Sequence, residues 1–214
     1  MAYFPMFIEL KDCPCLVVGG GPVAWHKVCV MRDFGAEVTV VAKEICQGIA
    51  RMPEVHCRKK DYEKNDIHRM RLVVAATSDE AVNHCICTDC RTQGVPVNVV
   101  DKPEECDFIF PSYVKQKEVV AAFSSGGQSP LITQYLKKQN ESCVTSFLGE
   151  LSAWLGELRP EVKRRIHKPE RRKEIYQKLL AVALEQHCIP GEEEAEQVIR
   201  EEESKETGES GKEE

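Results

Sequence analysis

The chain has 214 residues, 42% of them hydrophobic, which is enough to bury a core, and it contains no run of about eighteen apolar residues that could cross a membrane. Its net charge of −6 comes from the last 24 residues, which carry −8, so the preceding body carries +2 and lacks the strong basicity of a nucleic-acid-binding domain. Because the N-terminus has no signal-peptide pattern, we expect a cytoplasmic globular protein with no membrane or nucleic-acid partner.

The chain alternates short apolar runs with helical periods, which is typical of a parallel sheet with crossover helices. The runs are short and almost wholly apolar, as in strands that are buried on both faces. Between the first two, Pro22 near the start and Gly35 just past the end predict a helix over Pro22–Asp33. Ser78 or Asp79 caps a later helix that runs to Gly94. The predicted strands are residues 15–18, 38–42, 55–58, 72–76 and 95–100.

The pattern changes after Asp101. Residues 108–111 and 118–123 are predicted as strands, and Ser129 with Pro130 begins a helix through residue 139. Residues 145–187 are helical in period, with predicted breaks at Pro160 and Pro169. The fold class is therefore α/β, with a Rossmann-like parallel sheet, then a small α/β segment and a helical C-terminal region. Residues 191–214 hold almost no large apolar side chains, which predicts a disordered acidic tail.

Eleven cysteines are scattered along the chain, and their odd number favours free thiols over a disulfide framework. The nearest group is His84, Cys85, Cys87 and Cys90, which falls within a predicted helix and has no second pair of ligands nearby. We therefore predict no metal site there.

A glycine-rich turn, Gly19-x-Gly21-x-x-Ala24, directly follows the first strand and begins the first helix. In that context the glycines let backbone N–H groups approach a pyrophosphate at the positive end of the helix dipole, which predicts a dinucleotide site at Gly19, Gly20 and Gly21. The second strand ends in Lys43 and Glu44. Glu44 could accept hydrogen bonds from ribose hydroxyls, whereas Lys43 could favour a 2′-phosphate, so the residues leave NAD and NADP both open.

Five motifs occur together and in order: Tyr3-x-Pro5-x-Phe7, Val17-Val18-Gly19-Gly20-Gly21, Ala75-Ala76-Thr77, Asn98-Val99-Val100-Asp101 and Ser124-Ser125-Gly126-Gly127-x-Ser129-Pro130. The ordered set resembles the precorrin-2 dehydrogenase/sirohydrochlorin ferrochelatase family, which also forms the N-terminal half of sirohaem synthase. The resemblance covers residues 1–145 well and the helical remainder loosely.

The resemblance implies NAD-dependent oxidation of precorrin-2 to sirohydrochlorin by a homodimer, with possible insertion of Fe2+ or Co2+ at the same site. Asp101 is the implied catalytic carboxylate, and it ends a strand where open α/β sheets bind their ligands. A carboxylate there could take a proton as hydride leaves the macrocycle or as a metal ion enters it. The implied NAD contacts are Pro22, Val23, Lys43, Glu44, Thr77 and Asn98 beside the three glycines, and Ser124, Ser125, Gly126 and Gly127 are the predicted substrate-binding turn.

These inferences predict four segments: an NAD-binding Rossmann-like domain over 1–112, a dimerisation and substrate segment over 113–145, a helical domain over 146–190 and the tail over 191–214. A substrate with eight carboxylates requires a basic surface, and residues 159–173 are the richest source of cations, although such a run also suits a solvated helix face. Two alternatives stay open, a regulatory Rossmann module that binds NAD without chemistry and a dehydrogenase of another small molecule.

Overall fold

The computed structural model describes residues 3–210, which divide into two compact units between Phe110 and Pro111. The first unit holds the α/β part of the chain, and the second holds a hairpin followed by helices. The predicted end of the first domain, residue 112, is close to this division.

The first unit is built on a parallel sheet whose strands lie in the order β3-β2-β1-β4-β5. This order reverses direction between β1 and β4, and open sheets bind ligands at such a point. The Rossmann-like prediction is confirmed, and each strand lies within two residues of its predicted bounds. The elements are β1 (Pro14–Val18), α1 (Pro22–Asp33), β2 (Glu37–Val41), α2 (Gln47–Ala50), β3 (His56–Arg58), β4 (Leu72–Ala75), α3 (Glu80–Gln93) and β5 (Val97–Val99).

Both faces of this sheet are covered, which explains why its strands are almost continuously apolar. Cys15 and Val17 of β1 point to one side, where they pack with Ala24, Val28 and Met31 of α1. The alternate residues of β1 point to the other side and pack with the buried face of α3. Asp79 caps α3, as one of the two predicted candidates, and accepts hydrogen bonds from the N–H groups of the first helical turn.

The second unit begins with an antiparallel hairpin of β6 (Ser112–Gln116) and β7 (Val119–Phe123), followed by α4 (Pro130–Asn140). The strand predicted over 108–111 is wrong. Phe108 and Phe110 instead pack against the core of the first unit, and Pro111 has no N–H to donate to a strand ladder. The strand that pairs with β7 starts one residue later, at Ser112.

The rest of the second unit is α5 (Ser146–Arg165), α6 (Pro169–Gln186) and α7 (Glu192–Ser210), whose core includes Val162, Ile175 and Ile199. The predicted break at Pro160 is wrong, because α5 continues through it. Pro160 and Gly156 are both exposed, so the Gly156 carbonyl that loses its helical partner can bond to water.

The predicted disordered tail is also wrong over most of its length, since α7 packs on α6. Its acidic residues are not simply solvated, because several of them pair with cations of α5 and α6. Arg165 binds Glu196 and Glu203 at 2.6 Å each, and the fully buried Glu202 binds Lys178 at 2.7 Å. These ion pairs hold α7 in place, although the segment has few large apolar side chains to bury. Residues 211–214 of the predicted tail lie outside the described residues.

Three of the cysteines account for part of the sheet core: Cys15, Cys87 and Cys90 are buried. Burial raises the pKa of Cys15 to about 11 and that of Cys90 to about 12, so these thiols stay protonated and behave as small apolar side chains. Within residues 3–210, no group of three or more His, Cys, Asp or Glu side chains is arranged to hold a metal ion. No helix in the same range is long and apolar enough to cross a membrane.

Candidate functional site

The glycine turn after β1 is required by close backbone packing. Gly19 has a φ of +127°, and a Cβ there would lie 2.2 Å from the carbonyl oxygen of Ala76, which follows β4. A Cβ on Gly20 would lie 1.9 Å from the carbonyl oxygen of Glu44, which follows β2. These distances leave no room for a side chain, so the turn is drawn against the ends of both neighbouring strands.

Gly21 differs from its two neighbours because a Cβ there would meet no heavy atom within 4 Å. It is the N-cap of α1, its backbone is extended, and no side chain caps the helix. Val23 is about half exposed, and its N–H group lies in the uncapped first turn, at the positive end of the helix. This combination fits the pyrophosphate of a dinucleotide, which Gly20, Gly21, Pro22 and Val23 would line.

Lys43 and Glu44 occupy different positions after β2, although both are exposed. Lys43 forms an ion pair with Asp61, with Nζ 2.9 Å from the carboxylate, and this bond raises the pKa of Lys43. Among the described residues, the Glu44 carboxylate has no hydrogen-bond or ion-pair partner, while its main chain packs against Gly20. Glu44 is thus the side chain of the two that is available to hydroxyl groups.

Thr77 follows β4 in a loop that is fixed by the buried Asn83 of α3. The Thr77 backbone N–H donates to Asn83 Oδ1 at 3.1 Å, and Asn83 Nδ2 donates back to the Thr77 carbonyl at 3.1 Å. The Thr77 hydroxyl also lies 2.7 Å from Asn83 Oδ1. Asn83 is absent from the predicted site, although a polar residue on the core-facing stripe of a helix is a signal that could have found it.

Asp101 lies in a turn directly after β5, and its exposed side chain stands on a backbone with a φ of +60°. That left-handed conformation is uncommon for a residue other than glycine and persists where neighbours hold it. Cys106 supplies that hold: its Sγ accepts from the Val99 N–H at 3.2 Å and donates to the carbonyl of Val99 or Lys102. Cys106 was also absent from the predicted site.

Asn98, predicted at the cofactor, is buried within β5. Its Nδ2 donates to the Phe108 carbonyl at 2.9 Å and approaches Cys106 Sγ at 3.4 Å. These bonds tie β5 to the segment that follows the Asp101 turn. A direct contact of Asn98 with the cofactor stays a prediction, and the observed bonds describe a residue that holds the turn in place.

Lys27 of α1 is the third residue that the sequence analysis missed. Its Nζ lies 4.2 Å from the centroid of the Phe110 ring, and burial lowers its pKa, while the nearby Cys106 and Asp101 groups oppose that shift. Lys27 follows the buried Ala24 by three positions, so it lies on the border of the core-facing stripe, where a lysine is unusual. A partly buried ammonium therefore acts on the same turn as Asp101.

The predicted substrate turn, residues 124–127, belongs to the second unit, between β7 and α4. Ser125 is held at both ends by Ser129, because its Oγ accepts from the Ser129 N–H at 2.9 Å and lies 3.1 Å from the Ser129 carbonyl. The Gly126 N–H donates to Ser124 Oγ at 3.1 Å. Gly126 and Gly127 both have positive φ, and a Cβ on either would meet nothing within 4 Å. The turn is ordered with an open face, and substrate binding there stays a prediction.

Comparison with known proteins agrees with this geometry. Residues 6–112, half of the chain, match a family described as putative NAD(P)-binding, and residues 148–202 match the sirohaem synthase dimerisation region. The matched dimerisation region thus lies in the helices α5 to α7, whereas the sequence analysis assigned dimerisation to residues 113–145.

Relatives with curated names include the sirohaem synthase of Methylococcus capsulatus, 38% identical over 94% of this chain and 43% of the relative. The sirohaem synthase of Thioalkalivibrio sulfidiphilus is 38% identical over 91% of this chain and 40% of the relative. The chain therefore spans less than half the length of these proteins. Among solved structures, the precorrin-2 dehydrogenase SirC has a TM-score of 0.70 and 21% identity, covering 94% of this chain and all of SirC, which supports the fold.

Proposed function

The chain belongs to the putative NAD(P)-binding family and matches the dimerisation region of sirohaem synthases, and on that basis we propose that it oxidises precorrin-2 to sirohydrochlorin with NAD+. The observation that carries the proposal is the arrangement along one edge of the sheet. The open start of α1 follows β1, and Asp101 follows β5, two strands away or about 10 Å in the strand-to-strand direction. A dinucleotide can span that distance.

The reaction removes a hydride and a proton from the macrocycle. NAD+ supplies the hydride acceptor when it is bound. Gly20, Gly21 and Val23 would hold its pyrophosphate by backbone N–H groups at the uncapped start of α1. Asp101 accepts the proton at a carboxylate oxygen and releases it to water, so that sirohydrochlorin, NADH and one proton are the products. Lys27 is a positioning residue, because its charge acts on the Asp101 turn without a required contact to substrate.

NAD is the proposed cofactor in preference to NADP. Lys43 is held by Asp61 and is therefore less available to a 2′-phosphate, whereas Glu44 is exposed and would repel one. The same carboxylate would accept hydrogen bonds from the ribose hydroxyls of NAD. The proposed assembly is a homodimer, supported by the match of residues 148–202 to a dimerisation region.

The test is a turnover assay with the purified chain, precorrin-2 and NAD+, followed by the appearance of NADH. We expect turnover by the native chain and a loss of about a hundredfold or more in kcat for Asp101→Ala, because the proton acceptor is gone. Glu104→Gln, an exposed acid in the same connection, is the matched control and retains its rate. Full activity of Asp101→Ala would remove the catalytic assignment. Binding of NADH without turnover of precorrin-2 would favour a regulatory module or another dehydrogenase.

Metal insertion is a second candidate activity, for which the exposed carboxylate of Asp101 is again the relevant observation. Insertion of Fe2+ into sirohydrochlorin releases two pyrrole protons, which Asp101 can accept in turn. The assay follows the absorbance of sirohydrochlorin with Fe2+ or Co2+ in the absence of NAD+. A rate equal to that of the metal and sirohydrochlorin alone would exclude chelation by this chain.

A further inference from the structure

A basic cavity of about 480 Å³ lies between α5 and α6 in the second unit. Two of its cations come from α5 and two from α6, on walls that also carry Leu155, Tyr176 and Leu180. Nothing in the proposed function assigns a role to this cavity. Its four cations are Arg159, Lys163, Arg172 and Lys173.

These four cations lack the carboxylate partners that their neighbours have. Among the described residues, no carboxylate lies within ion-pair distance of Arg159, Lys163 or Lys173, and Arg172 reaches only the His167 carbonyl at 3.5 Å. By contrast, Arg165 of the same helix binds two glutamates of α7. The unit is rich in glutamate, yet the cations around the cavity remain without one. Four like charges around one cavity attract an anion from outside.

Tyr176, one of the residues that line the cavity, adds a second, independent observation. The Tyr176 hydroxyl oxygen is buried without a hydrogen-bond partner, the only side-chain polar atom so placed within the described part of the chain. Burial raises the pKa of Tyr176, so the hydroxyl remains a donor. A buried hydroxyl without a partner is costly, and a small turn of the Tyr176 side chain toward the cavity would let a bound ligand supply the missing bond. The leucine side chains beside it offer an apolar surface that a simple inorganic anion would not use.

We propose that this basic cavity binds the carboxylate-bearing edge of the tetrapyrrole substrate, an assignment that rests on the proposed function. A flat macrocycle with acidic side chains presents an apolar face to Leu155, Tyr176 and Leu180, while its carboxylates reach the four cations. Arginine adds bidentate geometry to these contacts, and lysine adds a flexible point charge. Inorganic phosphate would bind the cations alone and would make no apolar contact with the leucine side chains of the cavity.

The first experiment measures binding of uroporphyrin, a fluorescent tetrapyrrole with eight carboxylates, to the full chain by fluorescence anisotropy. Lys163→Gln is compared with Arg164→Gln, because the two residues are adjacent on α5 and only Lys163 lines the cavity. We expect Kd to rise about tenfold for Lys163→Gln and to stay within about twofold for Arg164→Gln. Equal effects of the two changes would overturn the proposal. So would displacement of uroporphyrin by phosphate but not by chloride at matched ionic strength.

The second experiment uses Tyr176→Phe. A ligand site predicts weaker binding of uroporphyrin by this variant, whereas a purely structural role of the hydroxyl predicts unchanged binding. Removing a buried hydroxyl that has no partner raises the melting temperature of the free protein by about 2 °C, whereas losing a bond to the ligand raises the Kd for uroporphyrin about threefold or more. Both shifts together support the cavity as a binding site. A wild-type Kd in Tyr176→Phe would contradict the role given to the hydroxyl.

The third experiment separates this proposal from the proposed function. For Arg159→Gln/Lys163→Gln we expect the KM for precorrin-2 to rise about tenfold or more with a much smaller change in kcat, because contacts to the carboxylates bind the ground state and the transition state alike and take no part in hydride or proton transfer. Weaker uroporphyrin binding with an unchanged KM would overturn the substrate assignment, as would a change of oligomeric state without a change in Kd. If the native chain bound uroporphyrin through these residues but produced no NADH, the proposed function alone would fail.

Discussion

Replacing Gly21 with alanine separates cofactor binding from folding. The backbone of Gly21 is extended, with a φ of −84°, and a new Cβ would meet nothing within 4 Å. Alanine restricts the unfolded chain, which adds up to about 1 kcal/mol of stability, and is a poorer N-cap than glycine, which removes a similar amount. The free energy of unfolding is therefore expected to change by less than about 1 kcal/mol.

The same methyl group occupies the space through which a pyrophosphate oxygen would approach the helix N–H groups. Forcing an extra methyl into a close contact costs about 1–3 kcal/mol, so the Kd for NADH is expected to rise about tenfold or more. The assay is a titration of NADH fluorescence beside a thermal unfolding curve. Native affinity in Gly21→Ala would refute the placement of the pyrophosphate at this helix start.

Gly20→Ala is the matched comparison, because its Cβ would lie 1.9 Å from the carbonyl oxygen of Glu44. Backbone on both sides would have to move, so we expect a loss of about 2 kcal/mol or more of stability together with the loss of NADH binding. Stability equal to that of the native chain would contradict the packing argument for this turn. The two alanine variants thus distinguish a glycine needed by the fold from one needed by the ligand.

Three further predictions follow. Cys106→Ala removes the Sγ bonds around the Asp101 turn, so kcat is expected to fall about tenfold while the Kd for NADH is unchanged; a loss of binding instead would contradict the positioning role. Glu44→Ala is expected to weaken the binding of NAD+ about tenfold and to reduce the preference of the chain for NAD+ over NADP+, measured by titration with both cofactors. Burial acts to raise the pKa of Glu202, but bonds from Lys178 and its neighbours outweigh it and lower that pKa to about 2. Glu202→Gln should therefore cost about 2 kcal/mol at neutral pH, a difference from the native chain that shrinks as pH falls from 4.5 toward 2, measured by urea unfolding.

The parallel sheet could be predicted because its signal is local. Residues such as Leu16 and Val17 face opposite sides of a covered sheet, so both must be apolar, and the run stands out from the polar helices around it. Helix ends were predicted equally well where punctuation was local, as with Pro22 and Asp79. The hairpin was harder, since the choice between residues 108–111 and Ser112–Gln116 depends on which segment pairs with β7.

The residues of the candidate site also differ in whether a local sequence signal marks them. Gly19 and Asp101 were predicted because they stand directly at strand ends, where sequence position and spatial position agree. Asn83, Cys106 and Lys27 were missed because each contacts a residue outside its own element: Asn83 reaches Thr77 before α3, Cys106 reaches back to Val99 of β5, and Lys27 reaches Phe110 at the far end of the unit. The buried amide, the thiol and the ring contact become meaningful only when the sheet brings α1 and α3 beside the strand ends. Composition and spacing along one segment do not contain that information.

The acidic helix α7 illustrates a limit of composition itself. Its buried positions, Ala195, Ile199, Glu202 and Glu206, follow helical spacing, but half of them are glutamates, so a count of apolar residues predicts disorder. The glutamates are buried beside complementary groups: Lys178 of α6 binds the Glu202 carboxylate, and Glu206 accepts from the N–H groups of His167 and Lys168, just before α6. The basic residues that face α7 are thereby paired with glutamates, while the basic residues around the cavity between α5 and α6 have no carboxylate partner. The helix predicted to be a solvated tail thus determines which cations of the second unit remain available to an anionic ligand.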